Sequence, residues 1–162
     1  MGKKVVRIFL DSNVILSGFI SERGAPRIIL DLLSLGLPFL MGATGRYNLI
    51  EIDRNLKKKM PGLLFLYKTY LPKLNLKVIP LPRPEEARDF SEQIAEKDIP
   101  VLISAIRSKV DFLVTGDKQH FGKMKDLDKY PFHVVTPSEF LDSVFPEILK
   151  GLEEKVGRLQ KN

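Results

Sequence analysis

The sequence predicts an α/β fold in which layers of helices cover both faces of a parallel sheet. Five short apolar segments have the length of buried strands, and helical apolar patterns lie between them. The predicted strands lie at residues 5–10, 37–41, 76–81, 112–114 and 133–135. Strands that alternate with helices in this way are typical of a parallel α/β sandwich.

Helical patterns follow each of the first two strands. Residues 14–20 predict a short helix, and the apolar residues of segment 25–35 recur at helical spacing until Gly36 ends the pattern. Thr44 is predicted to cap a third helix that ends near residue 59, because its hydroxyl can accept a hydrogen bond from a free backbone N–H of the first helical turn. The apolar and aromatic segment 61–71 predicts a further helix.

The second half of the chain repeats the alternation. A proline-rich loop after the third strand leads into a polar helix predicted at residues 85–95. Residues 99–108 are apolar nearly all round, which predicts a buried helix. After the fifth strand, Thr136 and Pro137 have the order of an N-cap and a first-turn proline. We therefore expect another helix to begin there.

The chain of 162 residues is long enough for one domain with its own core. We expect this domain to span residues 1–145 and a C-terminal helical tail to span 146–162. The tail carries an apolar stripe that either packs on its own domain or forms a coiled-coil contact with another chain. The stripe consists of Leu149, Leu152, Val156 and Leu159.

Composition excludes several classes of site. The chain has no cysteine, which excludes disulfides, thiolate metal sites and cysteine catalysis, and two histidines make a histidine-rich zinc site a poor fit. The net charge of +6 favours a polyanionic partner. Polar residues at 11–13 interrupt the N-terminal apolar run, so we expect neither a signal peptide nor a membrane span, and we expect a cytoplasmic protein.

Two predicted strands end in an aspartate. Asp11 follows the first strand and Asp117 follows the fourth. Sites of parallel sheets lie at the carboxyl ends of strands, and two carboxylates held close together repel unless a cation lies between them. The pattern therefore favours a divalent metal site, although each aspartate alone could also form a turn or cap a helix.

Other polar residues near these strand ends have two interpretations each. Asp98 precedes a buried helix, where it either caps that helix or supplies a third carboxylate. Ser12 and Asn13 either form hydrogen bonds to a metal-bound water or cap the next helix, and Thr115 either orients the site or ends the fourth strand. On the third helix, periodicity at about 100° per residue places Asp53 beside the apolar stripe.

The ordered set of motifs resembles the PIN-domain ribonucleases. It comprises D-S-N-V from Asp11, E-K-D-I-P-V-L-I-S-A-I around Asp98, and L-V-T-G-D ending at Asp117. The segments G-A-P at 24–26 and T-P-S-E-F at 136–140 are similar to the VapC-like toxins of toxin–antitoxin pairs. The resemblance implies a PIN-like nuclease domain, folded as a Rossmann-like three-layer α/β/α sandwich with strand order 3-2-1-4-5.

The resemblance also implies a set of catalytic and metal-binding acids: Asp11, Glu51, Asp98 and Asp117. Glu51 is taken in place of Asp53 because the apolar residues around Glu51 have the family spacing. Asn48 departs from the family, which usually has an apolar residue at that position. Ser12, Asn13 and Thr115 are expected to support the site.

The activity implied by the resemblance is RNA cleavage with Mg²⁺ or Mn²⁺, and an oxygen-only ligand set suits these ions. An antitoxin and a second copy of the chain are the implied partners. Residues expected to contact the RNA backbone are Arg46, Arg107, Lys118 and Lys123. Two alternatives are a non-catalytic RNA- or protein-binding module and a metal-dependent phosphatase; Asn13 argues against the aspartyl-phosphate type, which has a second aspartate there.

Overall fold

The computed structural model of the chain describes residues 4–90, 94–122 and 130–160. Its centre is a five-stranded sheet in the order β3-β2-β1-β4-β5, with every neighbouring pair parallel. The strands are β1 Val6–Leu10, β2 Leu40–Gly45, β3 Lys77–Ile79, β4 Phe112–Val114 and β5 His133–Val135. This arrangement confirms the predicted fold class and strand order.

Helices cover both faces of the sheet. They are α1 Ser12–Ile20, α2 Ala25–Ser34, α3 Arg46–Lys59, α4 Leu64–Tyr70, α5 Pro84–Arg88, α6 Ile99–Arg107, α7 Lys118–Gly122 and α8 Pro137–Gln160. Ile8 and Leu10 of β1 belong to the core cluster that packs against α1, α2 and α8, whereas Phe9 belongs to a second cluster with α6. Alternate residues of a strand point to opposite faces, so β1 is buried from both sides.

The second strand differs from the prediction. It begins at Leu40 and ends at Gly45, so Thr44 lies inside the strand and α3 begins at Arg46. The Thr44 hydroxyl donates to the Leu10 carbonyl oxygen at 2.9 Å instead of capping the helix. The small residues Gly42 and Ala43 weaken the apolar pattern, yet a Cβ at Gly42 would meet Leu33 at 2.9 Å. Close packing of α2 on the sheet requires this glycine.

Two helices also differ from expectation. Helix α5 ends at Arg88, so residues 89 and 90 of the helix predicted at 85–95 are in a turn, and residues 91–93 of that prediction lie outside the described residues. Helix α7, which follows β4, has no clear signal in the sequence. Among the described residues, no helix is long and apolar enough to cross a membrane.

Residues 146–160 do not form a separate helix. Helix α8 continues through Pro146, and the expected boundary between residues 145 and 146 lies within it. One face of α8 is buried on the domain through Phe140, Val144 and Ile148, and a Cβ at Gly151 would meet the Phe39 ring at 2.8 Å. The stripe at the far end of α8 is exposed at Val156 (50%) and Leu159 (69%).

Candidate active site

A pocket of about 210 Å³ lies where the predicted acids come together. Parallel strands β1 and β4 are neighbours, so Asp11 and Asp117 follow adjacent carboxyl ends of the sheet. Asp98 reaches the pocket from the turn before α6, and Glu51 reaches it from α3. The structure therefore brings all four sequence-predicted carboxylates to one pocket, from four different parts of the chain.

Asp11 is buried and held by three donors. Its Oδ1 accepts from the Ser12 backbone N–H at 2.7 Å and from Asn48 Nδ2 at 3.1 Å, and its Oδ2 accepts from Thr115 Oγ1 at 2.8 Å. The pKa of Asp11 is raised from 3.8 to about 6: burial raises it most, the bonds from Thr115 and Ser12 lower it, and the charges of Glu51 and Asp98 raise it. The ionised form of Asp11 is therefore disfavoured at this buried position.

Asn48 is a site residue that sequence reasoning did not select. It is fully buried on α3, where its Nδ2 also donates to Ser12 Oγ at 2.9 Å and its Oδ1 accepts from the Gly45 N–H at 3.2 Å. The departure from the apolar residue usual in the resembling family was the available signal. Asn48 joins the start of α3 to the carboxylate that follows β1, which fixes the orientation of Asp11.

Asn13 performs a similar task for Asp117. Its Nδ2 donates to Asp117 Oδ2 at 2.9 Å, and its Oδ1 accepts from the Gly116 N–H at 3.0 Å. Thr115 Oγ1, while donating to Asp11, accepts from the Asp117 N–H at 3.1 Å. Asn13 and Thr115 thus tie together the segments that carry the two strand-end aspartates.

Asp98 has an unsatisfied carboxylate oxygen. It is 8% exposed, and its Oδ2 has no hydrogen-bond partner among the described residues; His120 Nδ1 stands 3.7 Å away. The Asp98 side chain makes no capping hydrogen bond to α6, which excludes the helix-cap interpretation. An unpaired oxygen of a buried carboxylate is costly and indicates a missing cationic or hydrogen-bonding partner.

The helix acid on the pocket is Glu51. Asp53 is not among the residues that line the pocket, and its charge instead acts on the Tyr67 hydroxyl. Periodicity favours Asp53 because Asp53 lies beside the helix face that carries the buried residues Ile52 and Leu56. The pocket lies along a neighbouring face, the one that carries Asn48 and Glu51 three residues apart.

Solved structures share this architecture at low sequence identity. A chain of VapBC2 from Rickettsia felis bound to a DNA fragment from their promoter matches with a TM-score of 0.58 and 15% identity, over 81% of this chain and 98% of that one. PAE2754 from Pyrobaculum aerophilum matches with a TM-score of 0.59 and 18% identity, over 87% and 90%. The chain has a PIN-domain fold.

A third structure, VapBC-1 from nontypeable Haemophilus influenzae, matches the PIN-domain fold with a TM-score of 0.54 and 14% identity, over 82% of this chain and 99% of that one. No family model matches the sequence, and no curated protein matches it. The likeness therefore establishes the PIN-domain fold alone, and any chemical activity has to be inferred from the residues of the pocket.

Of the basic residues expected to contact the RNA backbone, the three that the structure describes do not line this pocket. Arg107 pairs with Glu86, and Lys118 pairs with Glu139 at 2.9 Å. Arg46 is exposed at the start of α3 without lining the pocket, and Lys123 lies outside the described residues. Lys97, which sequence reasoning did not select although it directly precedes Asp98, does line the pocket.

The donor chemistry of the pocket fits Mg²⁺ or Mn²⁺. All four acids offer carboxylate oxygens, and the pocket contains both an unsatisfied oxygen on Asp98 and a carboxyl with a raised pKa at Asp11. In the part of the chain that the structure describes, no three acidic or histidine side chains already stand in metal-binding geometry. Binding of an ion would require these mutually repelling side chains to converge.

Proposed function

We propose that this chain is a divalent-metal-dependent endoribonuclease that hydrolyses RNA phosphodiesters. The observation that carries the proposal is the convergence of Asp11, Glu51, Asp98 and Asp117 on one pocket, with an unsatisfied Asp98 oxygen inside it. Four carboxylates are costly to hold together unless a cation offsets their repulsion. The PIN-domain fold and the net charge of +6 are consistent with a polyanionic substrate.

In this proposal the four acids hold one or two Mg²⁺ or Mn²⁺ ions. A bound ion would supply activation of a water for in-line attack and stabilisation of charge on the leaving oxygen. The remaining residues orient the acids: Thr115 and Asn48 donate to Asp11, and Asn13 donates to Asp117. These hydrogen bonds restrict the orientation of the Asp11 and Asp117 carboxylates, so that fewer side chains have to move when an ion binds.

The proposal extends to a toxin role with a protein partner. It is supported by the fold likeness to chains of VapBC2 and VapBC-1 and by the G-A-P and T-P-S-E-F segments of the sequence. An antitoxin and a second copy of this chain are the partners we propose, and the cytoplasm is the location we propose.

Cleavage of a panel of single-stranded and looped RNAs with Mn²⁺ or Mg²⁺ tests the activity. We expect cutting that EDTA abolishes and that Asp11→Asn and Asp117→Asn lower by about a hundredfold or more, since each variant removes a charge from the pocket. Glu51→Gln and Asp53→Asn form a matched pair on α3, because only Glu51 lines the pocket. We expect Glu51→Gln to lose activity and Asp53→Asn to retain it.

Three outcomes would contradict the proposal. Cleavage that persists in EDTA would exclude the metal, and cleavage that survives both aspartate variants would place the chemistry elsewhere. RNA binding without cleavage by a folded, Mn²⁺-loaded sample would favour the non-catalytic module. Thermal unfolding of each variant shows whether a loss of activity is a loss of folding.

A further inference from the structure

The pocket has one basic side chain among the described residues that line it, apart from the imidazole of His120, and that side chain is Lys97. In the described part of the chain, Lys97 makes neither an ion pair nor a hydrogen bond. Two of the residues expected to contact the RNA backbone, Arg107 and Lys118, are paired with carboxylates instead. Lys97 is therefore the unpaired ammonium group on the wall of the pocket.

The backbone around Lys97 is fixed although its side chain is exposed. Lys97 is the middle residue of the 3₁₀ turn Glu96–Asp98, in which the Asp98 N–H donates to the Ala95 carbonyl oxygen at 2.9 Å. The next two residues, Asp98 and Ile99, are buried. A long and flexible side chain thus begins from a well-defined point beside the acid with the unsatisfied oxygen.

The positive charge of Lys97 is suited to binding a phosphate at this pocket. A phosphodiester that approaches Asp11, Glu51, Asp98 and Asp117 meets several negative groups, and one divalent ion does not offset all of them. An ammonium group is a compact point charge that contacts phosphate oxygens well. At the wall of this pocket it would attract the strand that the carboxylates repel.

We infer that Lys97 binds a phosphate of the nucleic acid strand at the acidic pocket and so positions the substrate for cleavage. The inference rests on the proposed nuclease function and adds a substrate-binding residue to it. Because the contact is to the backbone, it holds strands of different sequence equally.

Steady-state cleavage of an RNA oligonucleotide by Lys97→Ala, Lys97→Arg and wild type tests the inference. We expect Lys97→Ala to raise KM about tenfold and to leave kcat within about threefold, since a charge-assisted contact to the bound strand is lost. The slope of log(kcat/KM) against log[salt] should become shallower by about 0.7. Lys97→Arg should keep KM within about threefold of wild type because it keeps the charge.

Lys73→Ala is the matched control. Lys73 is an exposed lysine in the 3₁₀ turn before β3, at the amino end of the sheet, so its removal changes the net charge equally without touching the pocket. Its KM and salt slope should equal those of wild type.

The outcomes separate the inference from the function on which it rests. If wild type cuts no RNA in the panel, both fail. If wild type cuts and Lys97→Ala retains KM within about twofold and an unchanged salt slope, the inference alone fails. An equal rise in KM for Lys73→Ala would also overturn it, because the effect would then be one of net charge.

Discussion

Thr115 Oγ1 donates a 2.8 Å hydrogen bond to Asp11 Oδ2 and so joins the carboxyl ends of β4 and β1. The same oxygen accepts from the Asp117 N–H at 3.1 Å, and the side chain is fully buried. One hydroxyl therefore contacts the segments that carry both strand-end aspartates. Loss of the Thr115 hydroxyl should therefore change both the stability of the protein and the pKa of Asp11.

Replacing Thr115 by valine removes this hydroxyl at nearly constant volume. We expect the free energy of unfolding to fall by about 1–3 kcal/mol, because a buried acceptor and a backbone donor lose their partner. The pKa of Asp11 should rise above its value of about 6, since the bond from Thr115 lowers it. Urea denaturation and NMR titration of the Asp11 carboxyl measure the two effects.

Thr69→Val is the control for that substitution. The exposed Thr69 hydroxyl donates only to the Phe65 carbonyl oxygen one turn earlier in α4, so its loss should change stability by less than about 0.5 kcal/mol. Equal effects of the two valine variants would contradict the linking role of Thr115.

The raised pKa of Asp11 makes stability of the metal-free protein depend on pH. Because the folded pKa of about 6 exceeds the ordinary aspartate value of 3.8, the folded state binds more protons between these values, and the contribution of Asp11 to stability falls as pH rises from about 4 to 6. The loss amounts to about 3 kcal/mol for a shift of this size. Denaturation of wild type and Asp11→Asn in EDTA across this range should show a steeper decline for wild type; parallel curves would refute the assignment.

Divalent metal should stabilise the protein at pH 7. An ion that binds only the folded state adds about 2.7 kcal/mol at a hundredfold excess over its dissociation constant. Differential scanning calorimetry with Mg²⁺ or Mn²⁺ should show a rise in Tm that Asp98→Asn diminishes, because Asp98 has the unsatisfied oxygen. Asp53→Asn, outside the pocket, should keep the full rise. A rise that Asp98→Asn leaves intact would place the ion elsewhere.

Gly45→Ala should disturb the site through Asn48. A Cβ at Gly45 would stand 2.8 Å from Asn48 Oδ1 and 2.9 Å from Ser104 Oγ, both closer than Cβ contacts allow. We expect a loss of about 1–3 kcal/mol in the free energy of unfolding, together with slower RNA cleavage as Asn48 shifts away from Asp11.

Gly62→Ala provides the comparison, because a Cβ at Gly62 meets nothing within 4 Å. This variant should unfold with wild-type stability or about 0.4–1 kcal/mol more, since alanine restricts the unfolded chain. If both alanine variants lose equal stability, the crowding at Gly45 is not the cause.

The sequence predicted the parts of the fold and site that depend on strong local patterns. Short, mainly apolar runs that end shortly before an aspartate placed Asp11 and Asp117 at strand ends, and the buried helix after Asp98 indicated a covered carboxylate. The family resemblance supplied the strand order and the choice of Glu51 over Asp53.

Features that depend on contacts between distant segments were not predictable in the same way. Strand β2 contains small residues whose value lies in close packing, as at Gly42, so its apolar signal was weak. Asn48 appeared as a polar interruption of a helix because its partner Asp11 is 37 residues away. Lys97 is one of many lysines in the sequence, and only the folded structure shows that it lines the same pocket as the acids.

The length and direction of α8 place its C-terminal end far from the acidic pocket, where a label can be attached. The helix begins after the carboxyl end of β5, on the side of the pocket, and its Gly151 packs on Phe39, just before the amino end of β2. At about 1.5 Å per residue it carries the chain roughly 34 Å from Pro137 to Gln160. A fluorophore or surface tether attached near Gln160 would therefore stand towards the amino ends of the strands, away from the acids at their carboxyl ends, and would leave the pocket open to a strand in solution.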